Sequence, residues 1–202
     1  MSGSKLDQSF YSGNDPVPRA KALLGKVLCT NFDGILTSGL IVETEAYNGR
    51  TDKACHSHIH GKTERTKIMF GEPGIAYVYL CYGIHHLFNV VTNTQGTADA
   101  ILIRGIEPLD GIDTILERRG KSKLERSVGG GPGIASQALG ITTKNYGEDL
   151  QGNLIWIEDR GVSIKQNQII SSPRVGVDYA GEDAELPWRF RIKGNKFTSP
   201  AK

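Results

Sequence analysis

The clearest pattern along the chain is the alternation over residues 40–47. Leu40, Val42, Thr44 and Ala46 fall on one side, and Ile41, Glu43, Glu45 and Tyr47 on the other, which is the period of a strand. Such a strand aims two carboxylates and a phenol in one direction. Residues 75–80 and 86–92 are two further strand-like runs. Between them, Cys81-Tyr82-Gly83-Ile84-His85 holds a glycine suited to a tight turn, so the pair predicts a hairpin with an exposed aromatic near its tip. Residues 26–30 predict a strand, and residues 99–106 another that carries Arg104. Residues 16–24 predict a helix: Asp15 can cap it, prolines sit in its first turn, and Gly25 follows it.

Residues 109–119 predict a second helix. The run Gly129-Gly130-Gly131-Pro132-Gly133 breaks the chain before a short helical stretch at 135–139, and short strands are predicted at 154–157, 174–179 and 188–193. The polar, histidine-bearing stretch 48–74 reads as loop with a helical turn near Lys67. Residues 1–14 are polar and rich in Gly and Ser, and are expected to be mobile. Strands outnumber helices and few βαβ units are readable. The expected fold is α/β of the α+β type: a single compact domain over 15–202, on a mixed, largely antiparallel sheet with a projecting β-hairpin.

Composition narrows the class. Of 202 residues, 38% are hydrophobic and 23% charged, as in a folded soluble protein rather than a disordered one. No apolar run approaches the roughly 18 residues of a membrane span. The N-terminal stretch lacks the apolar segment of a secretory signal. Three cysteines, Cys29, Cys55 and Cys81, argue against a disulfide framework and for a reducing compartment. The expected location is the cytoplasm or nucleoid, with a nucleus as the alternative. A net charge of +2 names no partner, but bases gather at 50–67 and 118–126 and acids at 178–185. The basic stretches either line a phosphate-binding face or form an ordinary solvated surface.

Four groups of residues could carry chemistry. Glu45 and Arg104 each sit in an apolar strand, either as a structural ion pair or as a base beside a cation that helps hold water. Tyr47, Tyr77, Tyr79 and Tyr82 are either core residues with polar tips or a stacking pocket for a flat ring. Cys55, His56, His58 and His60 lie close enough in sequence to suggest zinc, but their spacing matches no closed zinc pattern, and no metal is expected. The glycine run 129–133 could offer amides to a phosphate or be a plain turn; the P-loop and dinucleotide fingerprints are absent.

In order along the chain, ALLGKVL (22–28), IVETEAYNG (41–49), DKACH (52–56), MFGEPGIAYVYLCYG (69–83), FNVV (88–91), ILIRGIEPLDG (101–111), GPG with QALGI (131–141) and RVGVDYAG (174–181) resemble the alkyladenine (3-methyladenine) DNA glycosylase family. The resemblance implies a hydrolase that removes alkylated or deaminated purines from double-stranded DNA, with no cofactor. It places Glu45 as the carboxylate that activates water, Arg104 near that water, and Val175 as the backbone carbonyl that helps hold it. Tyr47, His56 and Tyr79 match the walls of a flipped-base pocket, Asn89 its floor, and Tyr82 the hairpin wedge. Arg65 and Lys67 are candidates for the DNA backbone. Two departures stand out: Arg65-Thr66 where the family often has Arg-Asn, and Ile134-Ala135 where it often has Lys-Leu. With no lysine evidently placed to attack the sugar, a monomeric, monofunctional enzyme without strand cleavage is expected. The alternatives are a catalytically silent nucleic-acid-binding module of the same fold and a zinc protein.

Overall fold

Strand β3 (Ile35–Tyr47) is the spine of the molecule. The computed structural model describes residues 3–199. In chain order β3 is preceded by β1 (Ser4–Lys5), α1 (Gln8–Tyr11), α2 (Pro16–Leu23) and β2 (Val27–Phe32). It is followed by α3 (His56–His60), β4 (Ala76–Cys81), β5 (His85–Thr92), β6 (Asp99–Pro108), α4 (Ile112–Arg119), α5 (Arg126–Gly129) and α6 (Pro132–Leu139). The strands β7 (Ile155–Asp159), β8 (Ile169–Ser172) and β9 (Arg189–Ile192) complete the order. The strands run β1-β7-β2-β3-β6-β5-β4, with β9 joining β3 to β8, and the pairings among the described residues are antiparallel. This is the expected α+β domain on a largely antiparallel sheet. Among the described residues, no helix is long and apolar enough to cross a membrane.

The long strand changes partners halfway. Its first half pairs β2 and its second half pairs β9, while β6 runs along the other edge. The register against β6 shifts twice. Glu43 faces Gly105 and Thr44 faces Ile103, so Arg104 is the residue passed over. A bulge of this kind re-aims a side chain and bends the strand locally.

Alternation then sorts the two faces of the sheet. Ala46, Val78, Phe88, Val90, Ile101 and Ile103 point into the main core, where Leu23, Ile115, Ala138 and Leu139 from three helices cover them. Each buried Val, Leu, Ile or Phe among them contributes about 1.5–3 kcal/mol relative to exposure. The opposite face carries Tyr77, Val91 and Ala100, packed against Cys55 and Met69, with Tyr47 and Tyr79 at its margin. Helix α2 is capped as expected: the Asp15 side chain accepts from the Val17 amide at 2.9 Å, with proline in the first turn.

The hairpin forms as expected. Its turn closes by Ile84 N–H donating to Cys81 O at 3.2 Å, and Tyr82 and Gly83 both have positive φ, 51° and 73°. That is the signature of a type I′ turn. A tyrosine in the left-handed region is uncommon, and Tyr82 is 87% exposed with no burial to compensate.

Several expectations need correction. Residues 1 and 2 lie outside the described residues, but the stretch from Gly3, expected to be mobile, carries a strand and a helix that pack on the rest of the fold. Ser4 and Lys5 pair with Asp159 and Glu158, and Tyr11 is fully buried in the main core. Residues 174–179 do not form a strand. The Val175 amide donates to a carboxylate instead of a ladder, Gly176 turns to φ 73°, and a 3₁₀ segment begins at Asp178. The stretch 48–74 contains α3, and its expected helical turn is the 3₁₀ segment Lys67–Phe70.

Two amides of the glycine run are already taken within the fold. Gly131 N–H donates to Arg104 O at 2.9 Å and Gly130 N–H to Arg126 O at 2.8 Å. A side chain at Gly129 would meet Ile106 O at 2.0 Å, so glycine is required there to let the run lie against β6. Of the basic stretch 118–126, Arg118 donates to Thr37 and Ala138, Arg119 to Ser127, and Lys121 pairs with Glu125.

The packing of Tyr11 carries a prediction. Tyr11→Ala lowers the unfolding free energy by about 3–5 kcal/mol, the usual cost of removing a large buried aromatic. Urea denaturation measures it; an unchanged midpoint would show that the N-terminal stretch does not pack.

Candidate active site

The sheet lays four residues in one rank. Glu45 on β3 faces Leu102 on β6, Leu102 faces Asn89 on β5, and Asn89 faces Tyr77 on β4. Paired residues point to the same face, so these side chains stand side by side away from the main core.

Glu45 has no solvent exposure. Its Oε1 accepts the Val175 amide at 2.9 Å, its Oε2 accepts the Tyr47 hydroxyl at 2.8 Å, and Arg104 Nη1 lies 3.4 Å from the same Oε2. The bulge turns Arg104 so that it also reaches the second buried carboxylate: its Nε donates to Glu43 Oε1 at 3.1 Å. Glu43 further accepts Arg189 Nε at 2.7 Å and the Ser199 amide and hydroxyl at 2.5 and 2.7 Å. Burial pushes the Glu43 carboxyl up, but Arg104, Ser199 and Arg189 outweigh it and hold the group below its ordinary value. Burial and the neighbouring Glu45 charge push the Tyr47 phenol well above its ordinary value, so it remains a donor.

A second, unexpected pair fixes the Val175 segment. The Arg174 guanidinium is buried and bidentate on Asp52, at 2.5 and 2.8 Å. It donates to Ala46 O and Asp183 O, and lies 4.8 and 5.2 Å from the ring centroids of Tyr47 and Trp188. Ala46 sits between Glu45 and Tyr47, and Val175 follows Arg174. One guanidinium thus ties both segments that meet at Glu45.

The aromatic wall stands beside this cluster. Helix α3 presents His56, whose Nδ1 lies 3.0 Å from the Tyr77 hydroxyl and whose ring meets Tyr79 edge-on at 4.8 Å. Tyr77 and Tyr79 lie 5.4 Å apart. Burial, the Arg65 charge and His60 lower His56 to about 4, and burial raises Tyr77 to about 12. Asn89 is buried, its Nδ2 donating to Tyr77 O at 3.1 Å and Leu87 O at 3.4 Å.

Not every candidate joins these clusters. Tyr82 stands at the hairpin tip beside Ile84, also exposed. The Arg65 guanidinium lies over Tyr79, 4.8 Å from its centroid, while exposed Lys67 pairs with Glu64 at 2.6 Å. Cys55 turns toward Ser57, with Sγ 3.1 Å from its hydroxyl, and burial raises its thiol to about 11. His58 and His60 remain exposed. Sequence reading missed Asp52, Arg174, Arg189 and Ser199 as partners, although Asp52 and Arg174 lie inside the quoted segments 52–56 and 174–181. The alternation on β3 had already placed Glu43 beside Glu45.

The family profile described as Methylpurine-DNA glycosylase (MPG) matches residues 9–196. The chain belongs to this family. It is an enzyme of the DNA glycosylase type, a hydrolase of DNA repair. Its similarity to individual proteins agrees. A Bacillus cereus (strain G9842) protein named "Putative 3-methyladenine DNA glycosylase" is 47% identical over 200 residues, covering 95% of this chain and 97% of the relative. A Bacillus thuringiensis (strain Al Hakam) protein of the same name is 46% identical with the same coverage.

In this glycosylase the imidazole of His56 carries a pH prediction. The folded protein takes up its proton near pH 4, whereas the unfolded chain does so near 6.5. Unfolding therefore binds a proton between those values, and stability falls as pH drops from 6.5 toward 4. A histidine NMR titration should show one ring with a midpoint near 4 that is lost in His56→Gln. A midpoint near 6.5 for that ring would refute the burial of its charge.

Proposed function

We propose that this enzyme hydrolyses the bond between deoxyribose and an alkylated or deaminated purine in double-stranded DNA, with the nucleotide extruded from the stack. The observation that carries the reading is Glu45: a carboxylate with no solvent exposure, held by Val175 N–H, the Tyr47 hydroxyl and Arg104, beside a wall of aromatic rings. Purines of the 3-methyladenine, 7-methylguanine, hypoxanthine and ethenoadenine types are the proposed substrates. A base within a duplex is out of reach, and extrusion costs a few kcal/mol, least for a damaged or mispaired base. Tyr82, projecting on a stiff turn, fills the gap left in the stack.

The extruded purine stacks against Tyr47 and Tyr79, with His56 beside it and Asn89 beneath. Asn89 is fixed by its two backbone acceptors, so its amide can exclude the exocyclic amine of normal guanine by crowding. As the base departs, the sugar carbon gains oxocarbenium character. Glu45 offsets that charge and takes the proton of the attacking water, and the Val175 carbonyl and Arg104 help place the water. The products are the free purine and an abasic sugar. The enzyme acts without metal, nucleotide or lysine adduct, and works as a monomer in the cytoplasm or nucleoid.

Single-turnover release from duplexes carrying one lesion tests the reading. Glu45→Gln should lower the rate by about 10²–10⁴-fold, the range of general base catalysis, while lesion binding persists. Borohydride should trap no protein–DNA adduct. Unchanged release would remove Glu45 from the role, and a trapped adduct would refute the hydrolytic mechanism.

Tyr82→Ala addresses the wedge separately. It should weaken affinity for lesion duplexes by about 1–3 kcal/mol, the scale of one base–aromatic stack, without altering thermal stability. Equal affinity and equal single-turnover rate would show that Tyr82 does not enter the duplex.

A further inference from the structure

Arg65 was a candidate for the DNA backbone, yet its guanidinium lies on the ring of Tyr79, 4.8 Å from the centroid. The placement is built rather than incidental. The next residue, Thr66, is buried and knots the loop: its hydroxyl donates to Gly61 O at 2.6 Å and accepts the Thr63 amide at 2.8 Å. The preceding residue, Glu64, is held through its carbonyl by the Tyr146 hydroxyl at 3.1 Å. Its carboxylate is engaged by Lys67 at 2.6 Å, leaving Arg65 to the aromatic ring.

From this geometry we propose that Arg65 sets the balance between positively charged and neutral purines in the pocket. The inference rests on the glycosylase reading above. A tyrosine face attracts flat cations, and a purine methylated at N3 or N7 within DNA is a flat cation. Arg65 is another flat cation on that same ring. A purine that stacks on this face of Tyr79 displaces the guanidinium, and the displaced charge stays tethered nearby by the knotted loop. A cationic purine is then repelled, whereas hypoxanthine and ethenoadenine are not. Arg65 offsets the pull of the tyrosine wall toward alkylated bases and lets neutral lesions compete.

The test compares single-turnover release of 7-methylguanine, hypoxanthine and ethenoadenine from one duplex sequence at subsaturating enzyme. Within one sequence, any phosphate contact made by Arg65 cancels from the ratio of rates. Arg65→Gln should raise release of 7-methylguanine relative to either neutral lesion by about three- to tenfold, a range consistent with an exposed cation–π contact and a partly screened charge. Arg65→Lys keeps the charge and should hold the ratio near that of the unaltered enzyme. Melting temperatures should match for all three proteins, because the loop is held by Thr66 and Glu64. A fall in every rate by one common factor would make Arg65 a phosphate contact and overturn the proposal, as would an unchanged ratio with intact folding. Should Arg65→Gln melt early, Arg65→Lys decides alone: a ratio shifted as far as tenfold toward 7-methylguanine would show that charge is not the cause. If the unaltered enzyme releases none of the three purines but does release 3-methyladenine from alkylated DNA, this inference alone fails; if it releases no purine at all, the glycosylase reading fails first, and this inference with it.

Discussion

Two buried carboxylates on one strand govern the architecture. Glu43 and Glu45 lie two residues apart on β3, and neither has solvent exposure. Burying a charge without partners costs several kcal/mol, more than one domain can absorb several times over. The compensating groups come from far along the chain: Arg104 from β6, Arg189 from β9, Ser199 after it, and the Val175 amide from the loop between. The bulge that passes over Arg104 lets a single guanidinium touch both carboxylates. Apolar replacements would often be as stable as such a network. Its presence is best understood through the chemistry proposed for Glu45, with the fold arranged to tolerate it.

The sheet separates support from site. One face is sealed by α2, α4 and α6 over a continuous apolar core, and the other carries the rank Glu45, Leu102, Asn89 and Tyr77. Side chains mounted on strands between ladders have little freedom to drift. The parts that come from loops are clamped individually. Arg174 holds the Val175 segment through Asp52 and Ala46, and Thr66 knots the loop that carries Arg65. The hairpin is the exception, since its tip presents Tyr82 and Ile84 to solvent.

What could be read in the sequence follows from how locally each feature is encoded. The strand at 40–47 and the hairpin around Gly83 were legible because alternation and a turn residue lie within a few positions. Helix α3 was not, because its five residues include three histidines, form no side-chain cap and bury little of their own length. The segment at 174–179 looked like a strand because Val175, Val177 and Tyr179 alternate, but a strand needs ladder partners. There the Val175 amide is drawn to Glu45, and Val177 instead packs with Ala54 and Ala180. The folding of residues 3–14 hinges on Tyr11 reaching the main core, a contact no local pattern announces. The ion pairs were hidden for the same reason: Asp52 and Arg174 are 122 residues apart, and Glu43 and Arg189 are 146 apart.

The protonation states around the pocket form a pattern that individual residues do not show. Burial raises the phenols of Tyr47, Tyr77 and Tyr79 and lowers the imidazole of His56, so all four stay neutral through the neutral pH range. The wall is therefore polarisable and donor-bearing but uncharged. Charge lies in the Glu45–Arg104 pair beneath, in Arg174, paired with Asp52, against the Tyr47 ring, and in Arg65 above. A low-dielectric wall strengthens the field of the buried Glu45–Arg104 pair, because little water screens it, whereas exposed Arg65 is partly screened. Under the proposed reaction, positive charge develops on the sugar, next to the carboxylate and away from neutral rings that would neither stabilise nor compete for it. Had His56 been protonated, it would have repelled both a cationic purine and the developing sugar cation. Keeping it neutral is thus as much a requirement of the site as keeping Glu45 in place, and both are met by the same means: burial against the sheet with a defined hydrogen-bond partner.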